Sequence, residues 1–242
     1  MNQRRSAAVW AAINDHARAG GKPVSIDTVC LICAQVVRAQ GVGVALHGML
    51  TGYEPVCASG SDAYRLMDLH VTLGEGPGLD ALAEERPVLV GDLAEDGTRR
   101  RWPMFAPAAV QAGVRAVFAL PLLLGAISVG VLEISRAEEG WLTPQESADA
   151  LMFADAALLV QVQRLSHRDG AAAGEVAELK WGTAERWAEV HQATGMVAVQ
   201  SRTDLSVAFV RLRARAFADE RSLLEVARDV VARRLRFAPD SE

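Results

Sequence analysis

Cys30, Cys33 and Cys57 are the most reactive side chains in this 242-residue sequence. The first two form a CxxC spacing inside a helical pattern. A metal centre there would need further ligands, and Cys57 with His47 is the nearby set. A redox pair is the alternative chemistry; packing as small apolar core residues is the reading favoured here. His16, His47, His70, His167 and His191 are scattered. No HExxH occurs, and no Ser–His–Asp or Cys–His order falls in a strand–turn context. The glycine-rich stretch LGEGPG (73–78) carries neither GxxxxGK[ST] nor GxGxxG, so its glycines read as permitting tight turns and not as a phosphate cradle. Arg101, Trp102 and Phe105 set two aromatics beside a cation. Arg115 and Glu133 are charges within or beside apolar strands, where burial demands a partner: each other, or a polar ligand. Catalysis has no positive support, and the expectation is a protein that is neither an enzyme nor a metal protein.

The elements that must position these residues begin with helical spacing over Asn2–Ala19 (Ala7, Val9, Trp10, Ile13, Ala17), stopped by Gly20-Gly21. A second helix starts near Ser25 and carries Val29, Ile32, Cys33, Val36 and Val37. Short β-like runs follow at Val42–Leu46 and Pro55–Ala58. After the glycine-rich loop, 79–85 reads as a short helix and Val88–Val90 as a buried strand. Val114–Leu122 and Ile127–Ser135 form a hairpin turned near Gly125. Helices first and then an antiparallel sheet indicate α+β rather than an alternating parallel sheet. Thr143-Pro144-Gln145-Glu146 is a capping box with proline at the first helical position, opening a helix to about Arg168. The segment DGAAAG (169–174) is a linker candidate.

Everything beyond reads helical. Val176, Leu179, Thr183, Trp187, Val190, Thr194 and Val197 make an imperfect heptad seam, suited to another helix or a second subunit. Asp204 caps a helix through Ala218 with Leu205, Ala208, Phe209, Leu212 and Ala216 on one face. Ser222-Leu223-Leu224-Glu225 is a second capping box, whose helix buries Leu223, Val226, Ala227, Val230 and Val231. One long and two short helices make a small bundle.

Half the residues are apolar and 23% are charged, an ordinary globular balance. The 25 basic side chains include only two lysines, Lys22 and Lys180. With abundant Ala and Gly, that points to GC-rich coding and a bacterial source. No apolar run approaches the ~18–20 residues that span a bilayer, and the start does not read as a signal peptide. A cytoplasmic protein with reduced thiols is expected. The net charge of −5 is uneven: 14 basic against 19 acidic side chains through Gly174, 11 against 11 beyond. Within 205–237, eight arginines face four acids, which suits a polyanionic partner or a solvated helix surface.

The segments LHVTLGEGPGLDAL (69–82), RPVLVGDL (86–93), RWPMFAPAAVQAGVRAVFALPL (101–122) and GVLEISR (130–136) resemble the GAF domain of many actinobacterial regulators. The segments VHQATGMVAVQ (190–200) and AFVRLRARAFADERSLLEVARDVV (208–231) are similar to the ANTAR module, a three-helix RNA-binding antiterminator domain. The resemblance implies a GAF-like sensory domain over 1–168, with an antiparallel sheet flanked by helices. An all-α three-helix ANTAR-like domain with a coiled-coil-like long helix follows over 175–242. It implies a ligand-responsive transcription antitermination regulator that binds paired stem-loops in nascent mRNA as a homodimer and keeps a terminator hairpin from forming. On this reading Leu73, Glu75, Trp102, Phe105, Arg115 and Glu133 border a pocket for an unknown small molecule. The RNA contacts fall to Arg211, Arg213, Arg215, Arg221, Gln192 and Thr194. Gln192-Ala193-Thr194-Gly195 departs from the usual Gln-Ala-Lys-Gly: either a cation is lost from the RNA face, or Thr194 lies on the helix seam. The alternative is a dimerisation or signalling module whose tail docks a protein partner without RNA. No cofactor is legible.

Overall fold

The computed structural model describes residues 2–48, 52–170 and 182–239. Helix α1 (Asn2–Ala19) buries Val9, Ile13 and Ala17 at spacings of four. Helix α2 (Ile26–Val36) starts where the Ser25 hydroxyl accepts from the Thr28 amide at 3.3 Å. Then come β1 (Gly41–Leu46), β2 (Glu54–Ala58), α3 (Ser61–Leu73), α4 (Pro77–Glu84), β3 (Val88–Val90), α5 (Asp96–Arg101) and α6 (Phe105–Gln111). The long hairpin is β4 (Ala116–Leu124) and β5 (Ile127–Arg136), turned at Gly125, whose φ of 64° suits glycine. Helices α3, α5 and α6 are elements the sequence patterns did not reveal.

The five strands form one antiparallel sheet in the order β2-β1-β5-β4-β3. Strand alternation divides its side chains between two cores. Phe118, Leu120, Leu122, Leu132 and Ile134 face one side and pack with α1, α2 and helix α7 (Pro144–Gly170). Val117, Ala119 and Val131 face the other, against α3, α4 and α6. With helices on both faces, β4 and β5 read as nearly continuous apolar runs. The capping box of α7 is in place: Glu146 N–H donates to Thr143 Oγ1 at 3.2 Å, and Thr143 N–H to Glu146 Oε2 at 2.8 Å.

Residues 169 and 170 of the expected break at 169–174 still belong to α7, and residues 171–181 lie outside those described. The tail is α8 (Gly182–Ser201), α9 (Leu205–Ala218) and α10 (Leu223–Val231). Asp204 caps α9, and the Ser222–Glu225 capping box opens α10. Of the heptad seam, Val176, Leu179 and the Thr183 side chain lie outside the described residues. Trp187, Val190, Thr194 and Val197 are buried within this chain. Trp187, Val190 and Val197 share one apolar cluster with the α3/α4 face of the sheet. Helix α8 packs on the edge strand β2, and α9 and α10 pack on α3.

Candidate functional site

The polar centre of the molecule is made by three residues distant in sequence. Alternation along β5 turns Glu133 to the same face as Val131, into the core between sheet and helices. The helical repeat of α3 aims His70 inward with Leu66 and Met67. Tyr53, just before β2, closes the group. His70 is 0% and Glu133 2% exposed, so their polar atoms must satisfy one another.

All but Glu133 Oε1 find a hydrogen-bond partner. His70 Nδ1 lies 3.0 Å from the Leu66 carbonyl, and His70 Nε2 lies 3.1 Å from Glu133 Oε1. Gly78 N–H, one of the first amides of α4, donates to Nε2 at 3.0 Å. The Tyr53 hydroxyl donates to Glu133 Oε2. Burial, reinforced by the adjacent Glu133 carboxylate, pushes the Tyr53 phenol well above its ordinary range, so it remains a donor. The Tyr53 and His70 rings stack with centroids 5.2 Å apart, and Phe105 tilts onto His70 at 4.3 Å. Because Nε2 accepts from the Gly78 amide, Glu133 Oε1 stands beside it without a hydrogen bond. The arrangement therefore ties α3, α4 and β5 together in the core, with almost nothing exposed to solvent.

The loop glycines explain themselves here. Gly74 ends α3 in the left-handed region (φ 73°). A Cβ on Gly78 would fall 2.2 Å from Glu133 Oε1, and one on Gly76 would fall 2.8 Å from His70. These positions admit the polar cluster, a role beyond the tight turns expected from their spacing.

Of the residues expected to border a pocket, Phe105 and Glu133 converge on this cluster. Leu73 is half-buried against the same core. Glu75 instead accepts the amides of Met104 and Phe105, both at 2.7 Å, capping α6. Trp102 is buried, and its indole N–H donates to Asp80 at 3.2 Å. Arg115 and Glu133 do not pair. Arg115 bonds Asp92 at 3.0 Å and also Glu139. Glu133 pairs across the hairpin with Ala119, four residues along from Arg115, which precedes β4 beside Arg136, so nearness in pattern did not mean contact. Tyr53 and His70 escaped the sequence reading. His70 on the apolar face of a helical repeat, eight residues before a glycine, was the available signal; Tyr53 offered none.

Helix α3 carries a second set of contacts on its outer side. Leu69 and Leu73 join the cluster that holds the tail. The Arg213 guanidinium lies against Gly74, 3.1 Å from where a Cβ would stand, at the C-terminal end of α3 where a cation is favoured. Asp68 is partly buried there, and burial, with Glu225 of α10 adding, raises its pKa to about 7. His191 of α8 bonds Glu54 of β2 at 3.2 Å. That bond raises the His191 pKa and lowers that of Glu54.

Among the other expected RNA contacts, Thr194 is 0% exposed and its hydroxyl donates to the Val190 carbonyl at 2.8 Å. It lies on the seam. Arg211 donates to the Ala238 carbonyl at 3.1 Å, Arg215 pairs with Asp219 at 2.7 Å, and Arg221 pairs with Asp229 at 2.8 Å. Gln192 is exposed. Cys30, Cys33 and Cys57 are buried free thiols. Burial, with Cys30 and Asp149 adding, pushes the Cys33 thiol up; a bond from Cys30 and burial do the same at Cys57. Among the described residues no group of His, Cys, Asp and Glu could hold a metal ion, and no helix is long and apolar enough to cross a membrane.

The fold is that of GAF domains. The structure superimposes on the GAF domain of a Coxiella burnetii phosphoenolpyruvate-protein phosphotransferase with a TM-score of 0.52 and 14% identity, covering 70% of this chain and 99% of that one. For the GAF domain of an Acinetobacter phosphoenolpyruvate-protein phosphotransferase the TM-score is 0.51 at 12% identity, covering 70% and 98%. No protein-family model and no curated protein matches the sequence.

Proposed function

We propose that the chain is a regulator whose GAF-like part senses a small molecule and whose ANTAR-like helical tail binds RNA. As a dimer it would engage paired stem-loops in nascent mRNA and prevent a terminator hairpin from forming. The setting is cytoplasmic and the role is binding, not catalysis. The observation that carries this reading is the double duty of α3. Its inner face holds His70 in the buried cluster, and its outer face and C-terminal end hold α9, α10 and Arg213. A change in the cluster that shifts α3 must shift the tail, which is the differential contact that coupling requires.

Filter binding of the whole protein to its own operon's leader hairpins tests the reading. A tail that neutralises about three phosphates loses roughly 40-fold in affinity between about 50 and 200 mM salt. Two subunits per paired hairpin complete the expected result. A folded protein without hairpin affinity at low salt overturns it. One observation favours the second reading, in which the tail docks a protein partner: Arg215 and Arg221 are engaged by acids of the tail itself. Dimerisation without RNA affinity would select that reading.

A further inference from the structure

The cationic surface of the tail is not where the arginine count of α9 suggested. Arg213 lies against Gly74, and Arg215, Arg221, Arg228 and Arg234 all have acidic partners. Arg233 and Arg236 are exposed and carry no ion pair among the described residues. Both line a cleft of about 480 Å³ whose other wall is the outer face of α8: Gln192, Gly195, Met196, Val199 and Gln200.

The cleft is built, not incidental. The segment after α10 folds back onto α8, anchored by Leu235 and Phe237 in the apolar cluster and by the Phe237 amide donating to Gln200 Oε1 at 3.0 Å. Gly195 leaves the floor open, with nothing within 4 Å of where its Cβ would stand. Val199 is 81% exposed on the same helix face, an apolar surface left in water beside Arg233 and Arg236. Flat apolar floor, amide edges and guanidinium rim are the complement of a nucleotide: a base to cover Met196 and Val199, polar base edges for Gln192, a phosphate for Arg233 and Arg236. The volume falls within the range of small-molecule sites.

Resting on the regulatory reading above, we propose that this cleft receives an unpaired loop base of the bound RNA, with Arg233 and Arg236 on its flanking phosphates. Recognition then lies on the α8 face and the post-α10 segment, and not on the arginines of α9.

The experiment measures the affinity of the full chain for a hairpin library with randomised loops, alongside the same stems with abasic loops. Gly195→Leu fills the cleft from an open helix position and leaves every charge in place. It should weaken binding by roughly tenfold or more with an unchanged salt slope, the scale of one lost stacking contact. Abasic loops should weaken the wild type to the same level. Arg233→Ala/Arg236→Ala should flatten the salt slope by about 1.4–1.8, the value for two phosphates. Gly195→Leu binding the library as tightly as wild type, or abasic loops bound as well as intact ones, overturns the cleft while the regulatory reading stands. A wild type that binds no hairpin at all overturns both.

Discussion

A single missing methyl group admits the buried His70–Glu133–Tyr53 cluster. Gly78→Ala would drive Cβ onto Glu133 Oε1, and overpacking of that kind costs about 1–3 kcal/mol, or roughly 2–12 °C in Tm at this chain length. Thermal denaturation followed by circular dichroism checks it, and a Tm equal to wild type would remove the close contact from the account. Glu133→Ala should cost more, about 3–5 kcal/mol, because it strands the Tyr53 hydroxyl and leaves a cavity in an apolar core. Glu133→Gln keeps the shape and should cost less than Glu133→Ala in the same denaturation series. At position 194 the residue pattern posed a choice between a lost phosphate contact and a seam residue, and burial decides for the seam. Thr194→Lys must bury an ammonium or break local packing, so we predict a loss of about 2 kcal/mol or more in urea denaturation, with no gain in RNA affinity. Glu133 was legible as a charge that needed a partner, but its partners sit 63 and 80 residues away, beyond any local pattern.

Two contacts between elements respond to protons in the same direction. Asp68, between α3 and α10, has its folded pKa raised to about 7, so the assembled state binds its proton more tightly and loses stability as pH rises from about 4 toward 7. His191, bonded to Glu54, also has a raised folded pKa; its contribution is fully present below about 6.5 and is lost as pH rises through the folded value. Acidification from about pH 8 to pH 6 should therefore tighten the tail against α3 and β2. Hydrogen exchange in α9 and α10 reads this directly, and Asp68→Asn should remove part of the pH response while slowing exchange at pH 8. Faster exchange at the lower pH would contradict the assignment. The elements themselves were legible where caps and periodicity agreed: the Thr143 and Ser222 boxes open their helices where the sequence placed them. Helix α3 was overlooked although Ala63, Leu66, Met67, His70 and Val71 fall on one face, because Gly60 gives it no side-chain cap. Helices α5 and α6 are too short to show a period, and α6 is capped by Glu75 from a distant loop.

Across the molecule, the sheet's second core and the core of the tail are one apolar cluster. The boundary suggested by composition at 169–174 therefore separates two stretches of chain that pack together. Coincident unfolding by tryptophan fluorescence and far-ultraviolet circular dichroism is the expected result, since Trp102 lies in the GAF-like part and Trp187 in the tail. Two separated transitions would show independent units. The central claim is that α3 links a buried sensory core to an RNA-binding tail. Hydrogen exchange of the full chain with and without a saturating leader hairpin tests it most directly. The account predicts altered protection in α8–α10 and, with no RNA contact of its own, in α3 across Ser61–Leu73. Protection unchanged everywhere, or changed in the tail while α3 stays as it was, would contradict it.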